Sequence, residues 1–145
     1  AKAIRVVVQA EDYTGQGGGG VGISTTKKGM DGTAFYGWDN RDHWLEYAVD
    51  IPADGAYALS MRVCMEEPAE RALLVDGAYP DGVFRSFSLA PTGGFSNGTN
   101  DWDDRKLPKL LHLRKGRHVL RFINLSKPTN LDWISLHAPG EPSRR

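Results

Sequence analysis

Apolar and polar side chains alternate with a period of two through much of this chain. Ile4, Val6 and Val8 alternate with Arg5, Val7 and Gln9. Leu45, Tyr47, Val49 and Ile51 alternate with Glu46, Ala48 and Asp50, and Tyr57, Leu59, Met61 and Val63 with Ala58, Ser60 and Arg62. Leu120 and Phe122 alternate with Val119 and Arg121, and near the C-terminus Ile134 and Leu136 alternate with Ser135 and His137. Successive strand side chains point to opposite faces, so each run reads as a half-buried antiparallel strand. Shorter strands are expected at 72–75, 83–89 and 110–113. Turn sequences separate them: PADGAY at 52–57, VDGAYPDG at 75–82, APTGG at 90–94 and RKG at 114–116. No segment of 11 or more residues carries a helical period. The pattern predicts an all-β sandwich of two antiparallel sheets. Alternation alone leaves an immunoglobulin-like topology and a jelly roll both open.

Two segments are too long and irregular for hairpin turns: 14–43, with GQGGGGVG and KKGMDGTAFYGWDNRDH, and 91–108, with GGFSNGTNDWDDRKLP. Long loops that carry aromatics over a rigid sandwich are where binding sites are built. The 145 residues fit one domain, expected to span 1–138 with 139–145 as a linker-like tail. Lysine plus arginine equals aspartate plus glutamate, 18 each, which argues against a nucleic-acid binder. No apolar run approaches the length of a membrane span. Cys64 is the single cysteine, read as a small packed side chain. The chain begins directly at a strand, as a mature or excised piece of a larger protein would. NGT at 97–99 and NLS at 124–126 are weak glycosylation sequons.

Three constellations carry candidate chemistry. Gln9 and Glu11 flank Ala10 at the end of the first strand, and Asp132 stands at the mouth of the last, beside Asn130 and Trp133. If those strands are neighbours, the oxygens converge as a hard cation requires, and the 27–32 loop adds carbonyls and Asp31. The alternative is a set of unconnected surface acids. Trp38 and Trp102 lie in the long loops among Asp, Asn and Gly, where an indole can cover the apolar face of a sugar ring. Trp44 and Trp133, in strands, read as packing or platform residues. Asp39, Asp42, Asp101, Asp103 and Asp104 supply carboxylates, but no spacing singles out the pair a glycosidase needs. His43 reads as a surface hydrogen-bonder rather than a base, and no hydrolase, zincin or P-loop motif occurs.

Four stretches in order extend this reading. VQAEDY resembles E-A-E-x-Y, with Gln9 replacing the first acid. GWDNRDHWLEYAVDIPADGAYALSMRV resembles G-Y-x-D-N-G-D-W-L-x-Y followed by V-x-V-P and G-x-Y-x-L-x-x-R-V; LRKGRHVLRFI and TNLDWISL resemble the two closing strand motifs. From Val8 to Leu136 the chain resembles carbohydrate-binding modules of the family 6 and family 35 group. The resemblance implies a jelly-roll sandwich with a structural calcium, held by Gln9, Glu11, Asp132 and the 27–33 loop, with Asp31 as a candidate ligand. It implies a sugar site among the loops, with Trp38 as first aromatic and Tyr36 as its substitute. Trp102 is preferred to Phe95 as the second, with hydrogen bonds from Asn130 and loop acids such as Asp101. The function expected is non-catalytic binding of a polysaccharide or oligosaccharide by a monomeric, secreted or cell-surface module that holds an attached glycan-active enzyme at its substrate. A glycoside-active domain using loop aspartates, and a protein-adhesion sandwich, are the other classes. Arg41, Lys27, Lys28 and Arg105 in or beside the loops would suit an acidic sugar.

Overall fold

The computed structural model describes residues 5–30 and 33–143. Its strands are β1 (Arg5–Gln9), β2 (Gly15–Gly17), β3 (Gly22–Ser24), β4 (Ala34–Tyr36), β5 (Trp44–Ile51), β6 (Gly55–Cys64), β7 (Ala69–Val75), β8 (Phe87–Leu89), β9 (Asp103–Lys106), β10 (Leu111–Leu113), β11 (Gly116–Ser126) and β12 (Asn130–His137). One sheet runs β10-β6-β12-β4-β3, with β1 also paired to β12 and β9 to β6. The other runs β2-β5-β11-β7-β8. Every pairing is antiparallel, and the fold is a jelly-roll β-sandwich.

The alternating stripes meet between the sheets. Leu45, Tyr47, Val49 and Ile51 from β5 join Tyr57, Leu59, Met61 and Val63 from β6 in one buried cluster, with Leu120, Phe122, Ile134 and Leu136. Tyr47 packs edge-on to Phe122 at 6.2 Å, and its hydroxyl donates to the Ala10 carbonyl at 2.6 Å. That bond ties the Ala10–Asp12 3-10 turn beneath β1 to the second sheet.

The structure departs from simple alternation in three places. The expected strand at 83–89 is a 3-10 turn over Gly82–Arg85 followed by β8 alone. The Asp81 carboxylate accepts from the Val83 amide at 3.0 Å, a local bond that favours the turn over a ladder. Strands β2, β3, β4 and β9 arise inside the two long irregular segments, too short to show a period. The 139–143 stretch folds back on the sheet: Pro142 O accepts from Arg5 Nε at 3.0 Å and Ser143 O from Ser135 Oγ at 2.5 Å. Ser135 and His137 are both buried, and His137 Nε2 lies 2.9 Å from Ser60 Oγ. Among the described residues no helix is long and apolar enough to cross a membrane.

At the start of β11, His118 is held by two acceptors, Nδ1 by Asp76 at 2.6 Å and Nε2 by the Arg114 carbonyl at 2.7 Å. A neutral imidazole has one N–H, so donation to both requires the charged form. The Arg114 carbonyl, then the Asp76 carboxylate, raise its pKa above the ordinary histidine value. A raised folded-state pKa contributes stability that is complete below the unfolded value and lost as pH rises through the folded one. Relative to His118→Gln, the melting temperature of the unaltered chain should therefore be highest at acid pH and fall as pH rises above the ordinary histidine range. Identical pH profiles for the two proteins would remove this pair from the account.

Candidate functional site

The entrance of β12 is built on a β-bulge. Leu131 pairs with Val63 and Trp133 with Arg62, so Asp132 is the extra residue with no opposite number. A bulge shifts the alternation by one and re-aims a side chain. Leu131 and Ile134, three apart, can then both belong to the core. Before the bulge, Asn130 sits opposite Cys64 and reaches a cavity at the end of the sandwich.

This cavity, of about 260 Å³, is lined by Tyr36, Phe95, Asn97, Asn130, Lys27 and Asp39, among others. Tyr36 ends β4 opposite Gly22 of β3, and a Cβ at Gly22 would collide with the Tyr36 ring. The missing side chain lets the phenol lie down on the hairpin while the residue stays 46% exposed. Gly37 follows at φ +86°, a left-handed turn that drops the next residue inward. Asn130 is 3% exposed, and among the described residues its Nδ2 has no hydrogen-bonding partner beyond the weakly accepting Cys64 thiol beside it. An amide donor held by a strand and left without a strong acceptor is suited to a ligand oxygen. Lys27 Nζ stands 5.8 Å over the Tyr36 ring and donates to Asn97 Oδ1 at 2.6 Å.

Trp38, expected as the first sugar-facing aromatic, is wholly buried. Its indole N–H donates to the His43 carbonyl at 2.9 Å, Phe35 meets it edge-on at 5.8 Å, and the Arg71 guanidinium covers its ring at 4.0 Å. A ring enclosed on these sides has no face for a sugar. The substitute, Tyr36, is the aromatic that reaches the cavity. Arg71 is itself fully buried. It donates to Asn124 Oδ1 at 2.8 Å, to the carbonyls of Ser126 and Lys127 at 3.0 and 3.1 Å, and to the Trp38 carbonyl at 3.4 Å. Burial pulls its pKa down to about 9, which leaves it charged at neutral pH. One cation thus fixes both segments that carry the cavity: the chain after Tyr36 and the turn leading to Asn130.

Trp102 is also buried, at 6% exposure, against Ala34, Cys64 and Met30, and it does not line the cavity. Phe95, from the same loop, does. Asp101 holds the loop shut: its carboxylate accepts from the Ser96 amide at 3.0 Å, and its own amide donates to Ser96 Oγ at 3.0 Å. Asp103 pairs with Arg105 at 2.7 Å, while Asp104 accepts from Ser143 Oγ and faces Arg62 at 3.7 Å. These bonds make the three aspartates loop and sheet ties. His43, read from sequence as a surface group, is buried and bonded to Gln16 at 3.0 Å. Burial, with Arg71 nearby, lowers its pKa. Trp133 is a packed side chain at 2% exposure; Trp44, partly exposed, lies under Arg121 at 3.9 Å.

The oxygen-rich cluster lies beside this end of β12. Gln9 pairs with Trp133 in register, which puts it next to the bulged Asp132. Ala10–Asp12 is a 3-10 turn, so Gln9 and Glu11 do not share a face by strand periodicity, as sequence spacing suggested. Both Gln9 Oε1 and Glu11 Oε1 are nonetheless buried with no hydrogen-bond partner among the described residues, while Thr33 Oγ1 donates to Glu11 Oε2. Asp132 is fully buried and its carboxylate accepts from Arg62 Nε at 3.3 Å. Burial pushes its pKa up to about 7; Arg62 pulls against this, and Glu11 and Asp104 add to it. Two carboxylates and an amide with buried oxygens fit a hard cation by donor type. Among the described residues no three His, Cys, Asp or Glu side chains form such a group. Asp31, the further expected ligand, lies outside the described residues.

The family model for carbohydrate binding module (family 6) matches residues 9–138. The chain belongs to this family. A family 35 carbohydrate binding module from Clostridium thermocellum superposes with a TM-score of 0.75 at 22% identity, over 92% of this chain and 98% of that one. The C-terminal family 6 module of a marine laminarinase from Zobellia galactanivorans gives 0.74 at 20% identity, over 93% and 100%. A module of a Cellvibrio mixtus lichenase, solved with cellotriose, gives 0.68 at 24% identity, over 92% and 96%. At these identities the structures establish the shared fold. Among curated proteins no relative matches.

Proposed function

We propose that this family 6 module binds a glycan in the Tyr36–Asn130 cavity, without catalysis, and keeps an attached glycan-active enzyme at its substrate. The observation that carries this reading is the buried Asn130 amide, aimed into a cavity whose wall is an exposed tyrosine ring. An aromatic face takes the C–H side of a sugar ring, and Asn130, Asn97 and Asp39 take its hydroxyls. Phe95 completes the apolar wall. The laminarinase and lichenase modules are parts of glycan-degrading enzymes by name, which supports the targeting role. A calcium ion at Gln9, Glu11 and Asp132 would neutralise the buried carboxylates and fix β1 and its turn against β12. It would act on the scaffold, not on a bond of the ligand. The module would work at the cell surface or outside it, as a monomer.

Affinity electrophoresis against a panel of polysaccharide gels tests the site. The unaltered chain should be retarded by at least one polysaccharide. Tyr36→Ala should weaken binding about thirtyfold, as for loss of a central aromatic anchor, and Asn130→Ala about tenfold. Trp102→Phe should retain binding. Full retardation of the Tyr36→Ala, Asn130→Ala double variant would defeat the assignment.

A further inference from the structure

Lys27, Tyr36 and Asn97 also line a second cavity, of about 400 Å³, whose remaining wall includes Ser24, Thr25 and Thr26. We propose that this second cavity is a subsite for a sugar unit bearing a negative substituent, so that the module takes a glycan of at least two units across Tyr36. This rests on the reading of the Tyr36–Asn130 cavity as a glycan site.

Continuity comes first. Three side chains belong to both cavities, so a single ligand in one is already against the wall of the other. Together the two have the size of ordinary small-ligand pockets, roughly 300–1,000 Å³. Donor chemistry comes second. The Ser24 hydroxyl accepts from the Thr26 amide at 3.2 Å and lies 3.5 Å from the Thr26 hydroxyl, which folds the 24–26 segment into a turn carrying three hydroxyls. Hydroxyls that both donate and accept suit a sugar.

Charge decides the class. Lys27 is the single charged side chain lining the second cavity, whereas Asp39 lines the first alone. The Lys27 ammonium donates to a neutral amide oxygen, Asn97 Oδ1, and among the described residues no carboxylate is ion-paired to it. An ammonium has three donors, and a neutral sugar gives them only neutral acceptors. A uronate carboxylate or a sulfate ester adds an opposite charge, so that the hydrogen bond is also an ion pair.

Isothermal titration of the full chain separates the possibilities. The probes are neutral, glucuronate-containing and sulfated oligosaccharides of matched length, with the corresponding monosaccharides. One anionic series should bind about tenfold more tightly than the neutral one, and the advantage should shrink with added salt. The series preferred tells carboxylate from sulfate. Lys27→Met should abolish the preference and Lys27→Arg restore it. Thr25→Val with Thr26→Val should erase the gain in affinity from one sugar unit to two. Equal binding of neutral and anionic series, or a preference that survives Lys27→Met, would overturn the subsite while the Tyr36–Asn130 site stands. Absence of binding by every series would overturn both.

Discussion

Replacing Arg71 with methionine should lower the melting temperature by roughly 10 °C and remove the proposed glycan binding together with it. The replacement leaves Asn124 Oδ1 and the carbonyls of Ser126 and Lys127 without the Arg71 donor, while the Trp38 carbonyl keeps only the Asn124 amide, at 3.1 Å. Each orphaned buried acceptor costs about 1–3 kcal/mol, offset in part because a desolvated cation is also removed. A net loss of about 3–4 kcal/mol fits a buried network broken from one side. Arg71→Lys keeps the charge but lacks the planar fork that serves several acceptors, so it should fall between the two. Trp38→Ala should behave like Arg71→Met, with a loss of about 3–5 kcal/mol, because its ring is core and its partner is the guanidinium above it. Differential scanning calorimetry checks both. A Trp38→Ala protein with an unchanged melt and lost binding would return Trp38 to the sugar site. An Arg71→Met protein that keeps its melting temperature would mean that the two segments hold themselves.

If the proposed calcium is bound, chelation should lower the melting temperature and added calcium should restore it. A ligand at about a hundred times its dissociation constant stabilises by about 2.7 kcal/mol, and that term disappears with EDTA. Asp132→Ala and Glu11→Gln should abolish the calcium response, because they remove oxygens that are buried beside each other and give the ion its charge. Magnesium should substitute poorly, since it demands a tighter octahedron and keeps its waters. Calorimetric scans with and without EDTA, and elemental analysis of the dialysed protein, read this directly. An EDTA-insensitive melt with no bound metal would remove the ion and leave the Asp132 carboxylate to protein partners, Arg62 among them.

The long strands were legible because burial on one face writes a period of two. Tyr47, Leu59, Met61 and Phe122 could each be placed in the core from their neighbours. The sequence placed Gln9, Glu11 and Asp132 near one another by treating the first and last strands as neighbours, and β1 does pair with β12, but the local geometry differs from that expected. Extended geometry at 9–11 is replaced by a 3-10 turn, and Asp132 is delivered by a bulge that alternation cannot express. The aromatics show what loop composition leaves out. Trp38 and Trp102 sit among polar residues in sequence yet are the best-buried aromatics of their loops, because a buried arginine and a small satellite cluster receive them. Tyr36 is exposed because Gly22 opposite it leaves room for its ring, a cross-strand relation that needs the β3–β4 register. Arg71 gave no signal at all, since a charged residue on an apolar strand face reads as an outward position.

Nuclear magnetic resonance tests the central claim most directly, by titrating isotope-labelled chain with an oligosaccharide that the gel panel shows to bind. The account predicts that the largest shifts fall on Tyr36, Asn97 and Asn130, with Trp38 and Trp102 indoles little moved. Shifts centred on the Trp102 indole or on the Trp44 face of the second sheet, with Tyr36 and Asn130 silent, would contradict it.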